Sequence, residues 1–492
     1  MKVFIVTEGG KNIGLGHITR CTSVYQAFEE IGIQAQFIVN GDKIVQGLLK
    51  DKSCEIFDWL NDSDTLAASI RDADIVFVDS YLADYDVYEK ISNIVKTAVY
   101  FDDNVRFDYP KGFVLNGAVF AEQMPYPKRE GVTYLLGVQY APLRREFWDV
   151  PAKPIRDNIE TVMITFGGAD VRNLTPKVLK LLADTRPELF KKVIIGSGFQ
   201  NIAEIEKAKD SNTELIYQPN AAEIKKVMFE SDVAISAGGQ TLYELARVGV
   251  PTIAVAVADN QSNNISGWVK TCFVEYAGHW DDDRLAEEIE QKIKILESKR
   301  TRKCKQEIGN KLIDGQGSSR VVKELLSNFY KEHIFLRKAT FNDALDIFNL
   351  ANETIVRENS FSSNKIEWDE HIEWFKNKLE SNTCEIFIIE CLGEFAGQVR
   401  FDINSEQNEA VISISIVEKM RGLGLSSFVI TNSLRELPKF RRDVKLIKAY
   451  IKDENIASVK SFIRAGFRFL QNTMVNGCKS KVYERATEDL YE

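Results

Sequence analysis

His17 stands in the run Ile13-Gly14-Leu15-Gly16-His17-Ile18-Thr19-Arg20, directly after the apolar run Val3–Thr7 and directly before an amphipathic helical pattern. It is one of four histidines in 492 residues. Glycines admit positive φ and close backbone approach. A helix start gathers unpaired N–H groups that favour anions. An imidazole there can exchange a proton near neutral pH beside a bound phosphate. The combination points to chemistry on a phosphorylated ligand. A second loop of this kind, Ser236-Ala237-Gly238-Gly239-Gln240-Thr241, follows the apolar run Val233–Ile235 and precedes a helix expected near Leu242. The N–H groups around Gly238 and Gly239 suit a diphosphate. Glu244, in the first helical turn, suits the macrodipole and is within reach of ribose hydroxyls. Gly167-Gly168 before Asp170, and Asp259-Asn260-Gln261, follow two further apolar runs.

Each feature also has a plain structural reading. Gly14 and Gly16 serve equally to make a tight turn, His17 to cap a helix, Glu244 as a solvated acid and Asp259-Asn260 as an Asx turn. The loop after the first strand lacks the third glycine of a dinucleotide fingerprint, because position 19 is threonine, so NAD is disfavoured.

The elements that must position these loops alternate in type. Strands are expected at Val3–Thr7, Ala35–Val39, Ile75–Val78, Thr97–Phe101 and Val114–Leu115, with helices between them. After the proline-marked break Val150-Pro151-Ala152-Lys153-Pro154 the alternation restarts at Thr161–Thr165, Lys192–Ile195, Glu214–Ile216, Val233–Ile235 and Thr252–Val257, and Leu285–Phe329 reads as helical. Alternation of this kind argues parallel sheets with crossover helices. From about Ile334 the pattern changes: strands Phe335–Lys338, Glu385–Glu390, Ala396–Ile403, Val411–Val417 and Leu446–Ile451 include a hairpin across Leu392-Gly393-Glu394. The fold class is therefore α/β: two Rossmann-like domains, residues 1–150 and 151–330, then a different α+β domain, residues 334–492.

Composition narrows the function. Net charge is −9, so no global electrostatic case exists for nucleic acid. The seven cysteines are scattered without CxxC spacing, which fits reduced thiols in a cytoplasm and, with histidine scarce, argues against a zinc site. No run reaches the ~18 apolar residues of a membrane span. The chain reads as cytoplasmic, with no metal and no stable membrane insertion expected; its oligomeric state stays open.

Residues 1 to about 330 resemble the pseudaminic acid pathway nucleotide-sugar hydrolase family, whose members cleave UDP-2,4-diacetamido-2,4,6-trideoxy-β-L-altropyranose and are similar in fold to two-domain GT-B glycosyltransferases. The resemblance runs through Ile13–Arg20, Asp79-Ser80-Tyr81, Phe101-Asp102-Asp103, Tyr140–Phe147, Phe166-Gly167-Gly168-Ala169-Asp170 and Asp259-Asn260-Gln261. It implies a GT-B-like pair of domains and inverting attack of water on the anomeric carbon, with UDP leaving. His17 is implied to orient or deprotonate that water, and Tyr81 and Asn260 to hold it and the sugar. Gly14, Gly16, Arg20, Gly167, Gly168, Asp170, Gly238, Gly239, Glu244 and Gln261 are implied to bind substrate and nucleotide. Ser80 stands where the family often has histidine, and Glu8-Gly9-Gly10 replaces its usual aspartate- and serine-containing version.

The segment Val411–Val417, Glu418-Lys419-Met420, Arg421-Gly422-Leu423-Gly424-Leu425-Ser426 is again strand, glycine turn and helix, with Asn455, Ser458 and Ala465-Gly466-Phe467 downstream. Residues 334–492 resemble the GNAT acetyltransferases. The resemblance implies acetyl-CoA as co-substrate, its pyrophosphate on the N–H groups of Arg421, Gly422, Leu423, Gly424, Leu425 and Ser426, with Val417 alongside and Asn455 near the pantetheine arm. Lys419 replaces the more usual arginine or glutamine. Phe462 occupies the position where many GNAT enzymes place a tyrosine that protonates the leaving thiolate, and phenylalanine has no proton to give. Ile366–Phe375 is similar to aminosugar acetyltransferases of the same pathway, yet reads equally as an amphipathic helix with Trp374 in the core, so His371 receives no role. The expectation is a bifunctional enzyme that acetylates a UDP-4-amino-4,6-dideoxy sugar and hydrolyses the product. The alternatives are a GT-B glycosyltransferase with an acetyltransferase domain, or a nucleotide-sugar binding protein with one inactive site.

Overall fold

The computed structural model describes residues 1–11 and 13–490; Tyr491 and Glu492, at the end of the expected third domain, lie outside the described residues. The chain divides into two compact units, Met1–Val322 and Lys323–Glu492.

The first unit holds two Rossmann-like parallel sheets. Strands β1 (Val3–Glu8), β2 (Ala35–Asn40), β3 (Cys54–Ile56), β4 (Ile75–Asp79), β5 (Thr97–Phe101), β6 (Gly112–Asn116) and β7 (Val132–Leu136) lie in the order β3-β2-β1-β4-β5-β6-β7. Ile75, Val76, Phe77 and Val78 of β4 are fully buried, as a strand covered on both faces must be. Each such side chain contributes about 1.5–3 kcal/mol by leaving water. The strand order reverses between the neighbours β1 and β4, paired from Val3↔Ile75 to Thr7↔Asp79. Ligands of open parallel sheets bind outside the carboxyl ends of strands at such a reversal. Glu8 and Asp79 end those two strands.

Strands β8 (Thr161–Thr165), β9 (Phe190–Ile195), β10 (Thr213–Tyr217), β11 (Val233–Ala237), β12 (Thr252–Ala256) and β13 (Val274–His279) repeat the plan in the order β10-β9-β8-β11-β12-β13. Their reversal falls between β8 and β11, where Gly167-Gly168 and Gly238-Gly239 follow. The tract expected as helical resolves into helices Leu285–Leu296, Lys299–Leu312 and Gly317–His333.

The second unit is a mixed sheet of β14 (Ile334–Lys338), β15 (Cys384–Cys391), β16 (Glu394–Asn404), β17 (Glu409–Ile416), β18 (Leu446–Lys452), β19 (Arg468–Val475) and β20 (Cys478–Ala486), in the order β14-β15-β16-β17-β18-β20-β19. β17 and β18 form its parallel pair; the other pairs are antiparallel. One face packs on the helix Leu425–Glu436 through Ile412, Ile416, Ala449, Ile451, Val429 and Ile430. The opposite face carries Cys384, Ile386 and Ile388 of β15 against the helices Ala344–Ala351 and Trp368–Glu380. Among the described residues no helix is long and apolar enough to cross a membrane.

Candidate functional site

His17 is the second residue of the helix Gly16–Glu30, which begins without a side-chain cap. The preceding loop is closed by paired bonds between the backbones of Gly10 and Gly14, of 3.1 and 2.8 Å. Gly14 has φ +88°, a conformation that suits glycine. Because β4 lies beside β1, the Asp79 side chain at the end of β4 meets this helix start. Its Oδ1 lies 2.6 Å from His17 Nδ1, and both groups are buried. A carboxylate on Nδ1 places the proton there and leaves Nε2 as the basic nitrogen. Among the described residues none hydrogen-bonds Nε2.

Asp79 is itself held. Arg20, one turn along the helix, donates from Nε to Asp79 Oδ2 at 2.9 Å and from an η nitrogen to Oδ1 at 2.6 Å. The other η nitrogen donates to both oxygens of Asp103, at 2.8 and 2.7 Å, and the guanidinium lies over the Phe101 ring. Tyr81 donates its hydroxyl to Asp103 at 2.6 Å and packs edge-on against His17 with ring centroids 4.6 Å apart. The backbone N–H of Tyr81 is fixed by Glu8 Oε1 at 2.7 Å, and Glu8 also accepts from Ser80. Glu8 and Ser80 thus form a buried pair that sets the path of the Tyr81 loop.

The network decides the titration of its members. Burial works to lower the His17 pKa, but the charge and hydrogen bond of Asp79 outweigh it and the net shift is upward from 6.5. Burial would raise Asp79, yet Arg20 and His17 hold it well below the usual carboxylate range. Burial first and Asp103 second push the Tyr81 phenol up, so Tyr81 stays a hydrogen-bond donor at neutral pH.

A cavity of about 280 Å³ opens here, lined by Gly16, His17, Arg20, Tyr81, Asp103, Gly238, Gly239, Asn260 and Gln261 among others. It brings loops of both parallel sheets together. Gln240 Nε2 donates to the carbonyl of Pro142 at 2.9 Å, and the Tyr243 hydroxyl accepts from Val119 N–H at 3.1 Å, fastening the two sheets across it. Gly238 does not offer its own N–H, which donates to Gln261 Oε1 at 3.1 Å; Gln261 also accepts from Val257 N–H. Among the described residues the amides of Gly239, Gln240 and Thr241 have no acceptor, and the helix Thr241–Val248 starts with no side-chain cap.

Five residues assigned from the sequence lie outside this lining. Gly14 stays in the hairpin-like loop. Glu244 is buried and gripped by Arg144 through two bonds of 2.9 Å, and burial raises its pKa against that partner. Its carboxylate joins elements instead of facing the cavity. Asp170 caps the helix Leu174–Thr185 by accepting from the N–H groups of Leu174 and Thr175, each at 2.9 Å. Gly167 and Gly168 are exposed, and Gly168 O is held by Gly198 N–H at 2.9 Å. Asp79 and Asp103 are the members that reading the sequence left without a role. An aspartate closing the apolar run Ile75–Val78 was the available signal for the first.

In the second unit the turn after β17 has φ +75° at Gly422 and +73° at Gly424, with open space around both. The helix Leu425–Glu436 follows, uncapped by any side chain, and the amides of Gly422, Leu423 and Gly424 have no backbone acceptor among the described residues. Such a cradle fits a pyrophosphate. The Arg421 side chain is committed elsewhere, donating to Ile416 O at 2.8 Å and pairing with Glu353. Val417 donates its N–H to Ala396 O at 3.0 Å. Asn455 caps the helix Ile456–Arg464, accepting from Ser458 N–H at 3.0 Å. Phe462 is buried against Phe467, ring centroids 5.0 Å apart. His371 is buried too, bonded through Nε2 to Ala344 O at 2.9 Å and stacked on Phe375, with its pKa lowered by burial.

Residues 161–319 match the glycosyltransferase family 28 C-terminal domain, and residues 333–468 match the acetyltransferase (GNAT) domain. An uncharacterized protein of Methanocaldococcus jannaschii is 23% identical over 401 residues, 77% of this chain and 78% of its own length. A Helicobacter pylori protein named pseudaminic acid cytidylyltransferase and UDP-2,4-diacetamido-2,4,6-trideoxy-beta-L-altropyranose hydrolase is 25% identical over 264 residues, 53% of this chain and 45% of that protein. The spore coat polysaccharide biosynthesis protein SpsG of Bacillus subtilis is 23% identical over 68% of this chain and all of its own length. Spermidine N-acetyltransferase from Vibrio cholerae, solved with CoA and spermine, aligns with 33% of this chain and 99% of its own, at 20% identity and a TM-score of 0.31.

Proposed function

From a chain that joins a glycosyltransferase family 28 C-terminal domain to a GNAT acetyltransferase domain, and is homologous to a pseudaminic acid pathway hydrolase, we propose a bifunctional nucleotide-sugar enzyme. The GNAT domain acetylates the 4-amino group of a UDP-4-amino-4,6-dideoxy sugar with acetyl-CoA. The first unit then hydrolyses the UDP-2,4-diacetamido-2,4,6-trideoxy-hexose to free sugar and UDP, with inversion. The observation that carries this reading is the buried Asp79–His17 pair on the same cavity as Tyr81, Asn260 and the Gly239–Thr241 amides.

His17 Nε2 takes a proton from water as that water attacks the anomeric carbon, with the space for water that inversion needs between base and sugar. Tyr81 and Asn260 hold the water and sugar. The free amides at Gly239, Gln240 and Thr241 meet the charge developing on the leaving diphosphate. The seven free cysteines fit a reducing cytoplasm.

Incubation with UDP-4-amino-4,6-dideoxy-β-L-AltNAc and acetyl-CoA should release CoA and then UDP. His17→Ala should keep CoA release and lower UDP release by roughly 10²–10⁴-fold; no UDP from the parent enzyme would reject the hydrolase half. The family 28 match favours a second reading, transfer of the sugar to an acceptor other than water. UDP formed with no acceptor present separates the two.

The turn Gly422–Gly424 is the proposed seat of the CoA pyrophosphate. Gly424→Ala places a side chain at φ +73°, at a cost of about 1–2 kcal/mol. Acetyl-CoA affinity, read by titration calorimetry on the full chain, should fall roughly tenfold.

A further inference from the structure

The parallel pair β17–β18 is joined over only three positions: Glu409↔Leu446, Ala410↔Ile447 and Val411↔Lys448. Beyond them the strands part. β17 continues to Ile416 bonded on its other side to β16, and β18 continues to Lys452 bonded to β20. Two facing strand edges in mid-sheet are thereby left unpaired, and buried edges of this kind call for a partner. An extended chain carrying amides, as the pantetheine arm of CoA does, supplies the missing donors and acceptors.

The next outward residue on each strand marks the mouth of this opening. Two positions past Val411 is Ser413, and two positions past Lys448 is Tyr450. Their neighbours Ile412 and Ala449 are buried on the face that packs against Leu425–Glu436. Ser413 and Tyr450 therefore lie together on the opposite face, and both are exposed although they sit in the middle of a seven-stranded sheet. The helices Ala344–Ala351 and Trp368–Glu380 cover β15 on this face, and the helix Thr354–Asn359 reaches the end of β18, where Lys452 Nζ donates to Glu358 O at 2.8 Å, while Ser413 and Tyr450 stay exposed. Gln398, paired with Ser415 on the same face, has its Oε1 buried with no hydrogen-bond partner. The Tyr450 hydroxyl likewise has none among the described residues. Phe462, by contrast, is buried and has no proton to give.

We propose that Tyr450 carries the proton of acetyl transfer, beside an acceptor site in which Gln398 Oε1 receives an N–H of the incoming amine. The amine nitrogen bonds to the thioester carbon as the carbon–sulfur bond breaks. The phenol gives its proton to the leaving thiolate and regains one from the newly bonded nitrogen, so acetyl-CoA and amine become CoA and amide with no other reactant. The assignment rests on reading the second unit as an acetyltransferase that uses acetyl-CoA.

The test compares CoA release by the full-length parent and Tyr450→Phe, with UDP-4-amino-4,6-dideoxy-β-L-AltNAc as acceptor and separately with acetyl-CoA and water alone. A thiol of pKa near 8.5 leaves fairly well unaided, so the fall in kcat is set at the low end for an acid catalyst, about 10–100-fold. KM for acetyl-CoA should stay within about twofold and the solvent deuterium effect on kcat should vanish. Gln398→Leu should raise KM for the acceptor roughly tenfold and leave acetyl-CoA binding unchanged. A Tyr450→Phe enzyme within threefold of the parent, or one retaining the isotope effect, overturns the proposal. If the parent acetylates no aminosugar, the substrate reading fails, and the water-alone comparison still decides on Tyr450: an equal rate in both enzymes rejects it. If the parent neither binds acetyl-CoA nor releases CoA in either assay, the acetyltransferase premise and this assignment fall together.

Discussion

Asp79→Asn should abolish most UDP release while leaving the fold and UDP affinity intact. The substitution keeps the shape of the side chain and removes the charge that lies 2.6 Å from His17 Nδ1. An amide in that place can present its NH₂ to Nδ1 and drive the proton to Nε2, the nitrogen proposed to accept one from water. Loss of the correct tautomer costs roughly 10²–10⁴-fold in turnover when a carboxylate orients a catalytic imidazole. The pH profile carries a second signature. In the proposed reaction His17 works as a base only when neutral, so parent activity should rise through its native pKa, which is shifted upward from 6.5. In the variant burial, which lowers that pKa, loses its main opponent. The midpoint of the acidic limb should therefore move to lower pH as the maximum falls. Steady-state UDP release from pH 5 to 9 checks both. A variant with parent turnover, or an unmoved limb, would show that Asp79 does not set the state of His17.

How far the sequence foretold this site depends on where each residue lies in its sheet. The central strands were legible because burial on both faces makes them continuous apolar runs, as in Ile75–Val78 and Thr252–Ala256. β3, β7, β13 and β19 went unread, and each is an edge strand of its sheet. With a neighbour on one side only, segments such as Cys54-Glu55-Ile56 and Arg468–Val475 carry polar residues without alternation, and nothing separates them from loops. β20 was missed as well, since Lys479, Lys481 and Arg485 interrupt its pattern.

The loops that line the cavity follow the same logic. Glycines after an apolar strand mark a ligand loop locally, which is why His17, Gly238 and Gly239 could be picked out. The Asp79–His17 contact spans 62 positions and exists because β4 inserts next to β1, a fact of topology that spacing does not encode. Glu244 shows the converse. Its place in a first helical turn looked suited to ribose, but Arg144, 100 residues away, occupies both oxygens. Asp170 likewise meets a local need, two helix N–H groups, that a glycine-aspartate motif does not reveal.

Arg20 is where the proposed catalysis and the stability of the fold meet, and Arg20→Leu should damage both. The guanidinium makes two hydrogen bonds to Asp79 and two to Asp103 from a position 13% exposed, while Asp79 is 1% exposed. Leucine fills comparable volume over Phe101 but leaves Asp79 a buried carboxylate with only His17 to balance it. Breaking a buried pair from one side costs about 3–5 kcal/mol. The pH dependence follows from the sign of the shift. Asp79 has a depressed native pKa, so it stabilises the fold above the ordinary carboxylate value of 3.8, and that contribution is lost as pH falls through the depressed one. With Arg20 gone the depression shrinks, and less of this stabilisation remains at neutral pH. Arg20→Lys, which restores one charge without the fork, should recover part of the stability and less of the turnover, because a single ammonium cannot bind both carboxylates in the planar geometry seen here. Scanning calorimetry of the full chain, read with UDP release, separates this from Asp79→Asn, where activity falls but Arg20 keeps Asp103 as a charged partner, so the melting temperature should fall less than in Arg20→Leu. An Arg20→Leu chain that melts with the parent would mean the two aspartates need no cation between them.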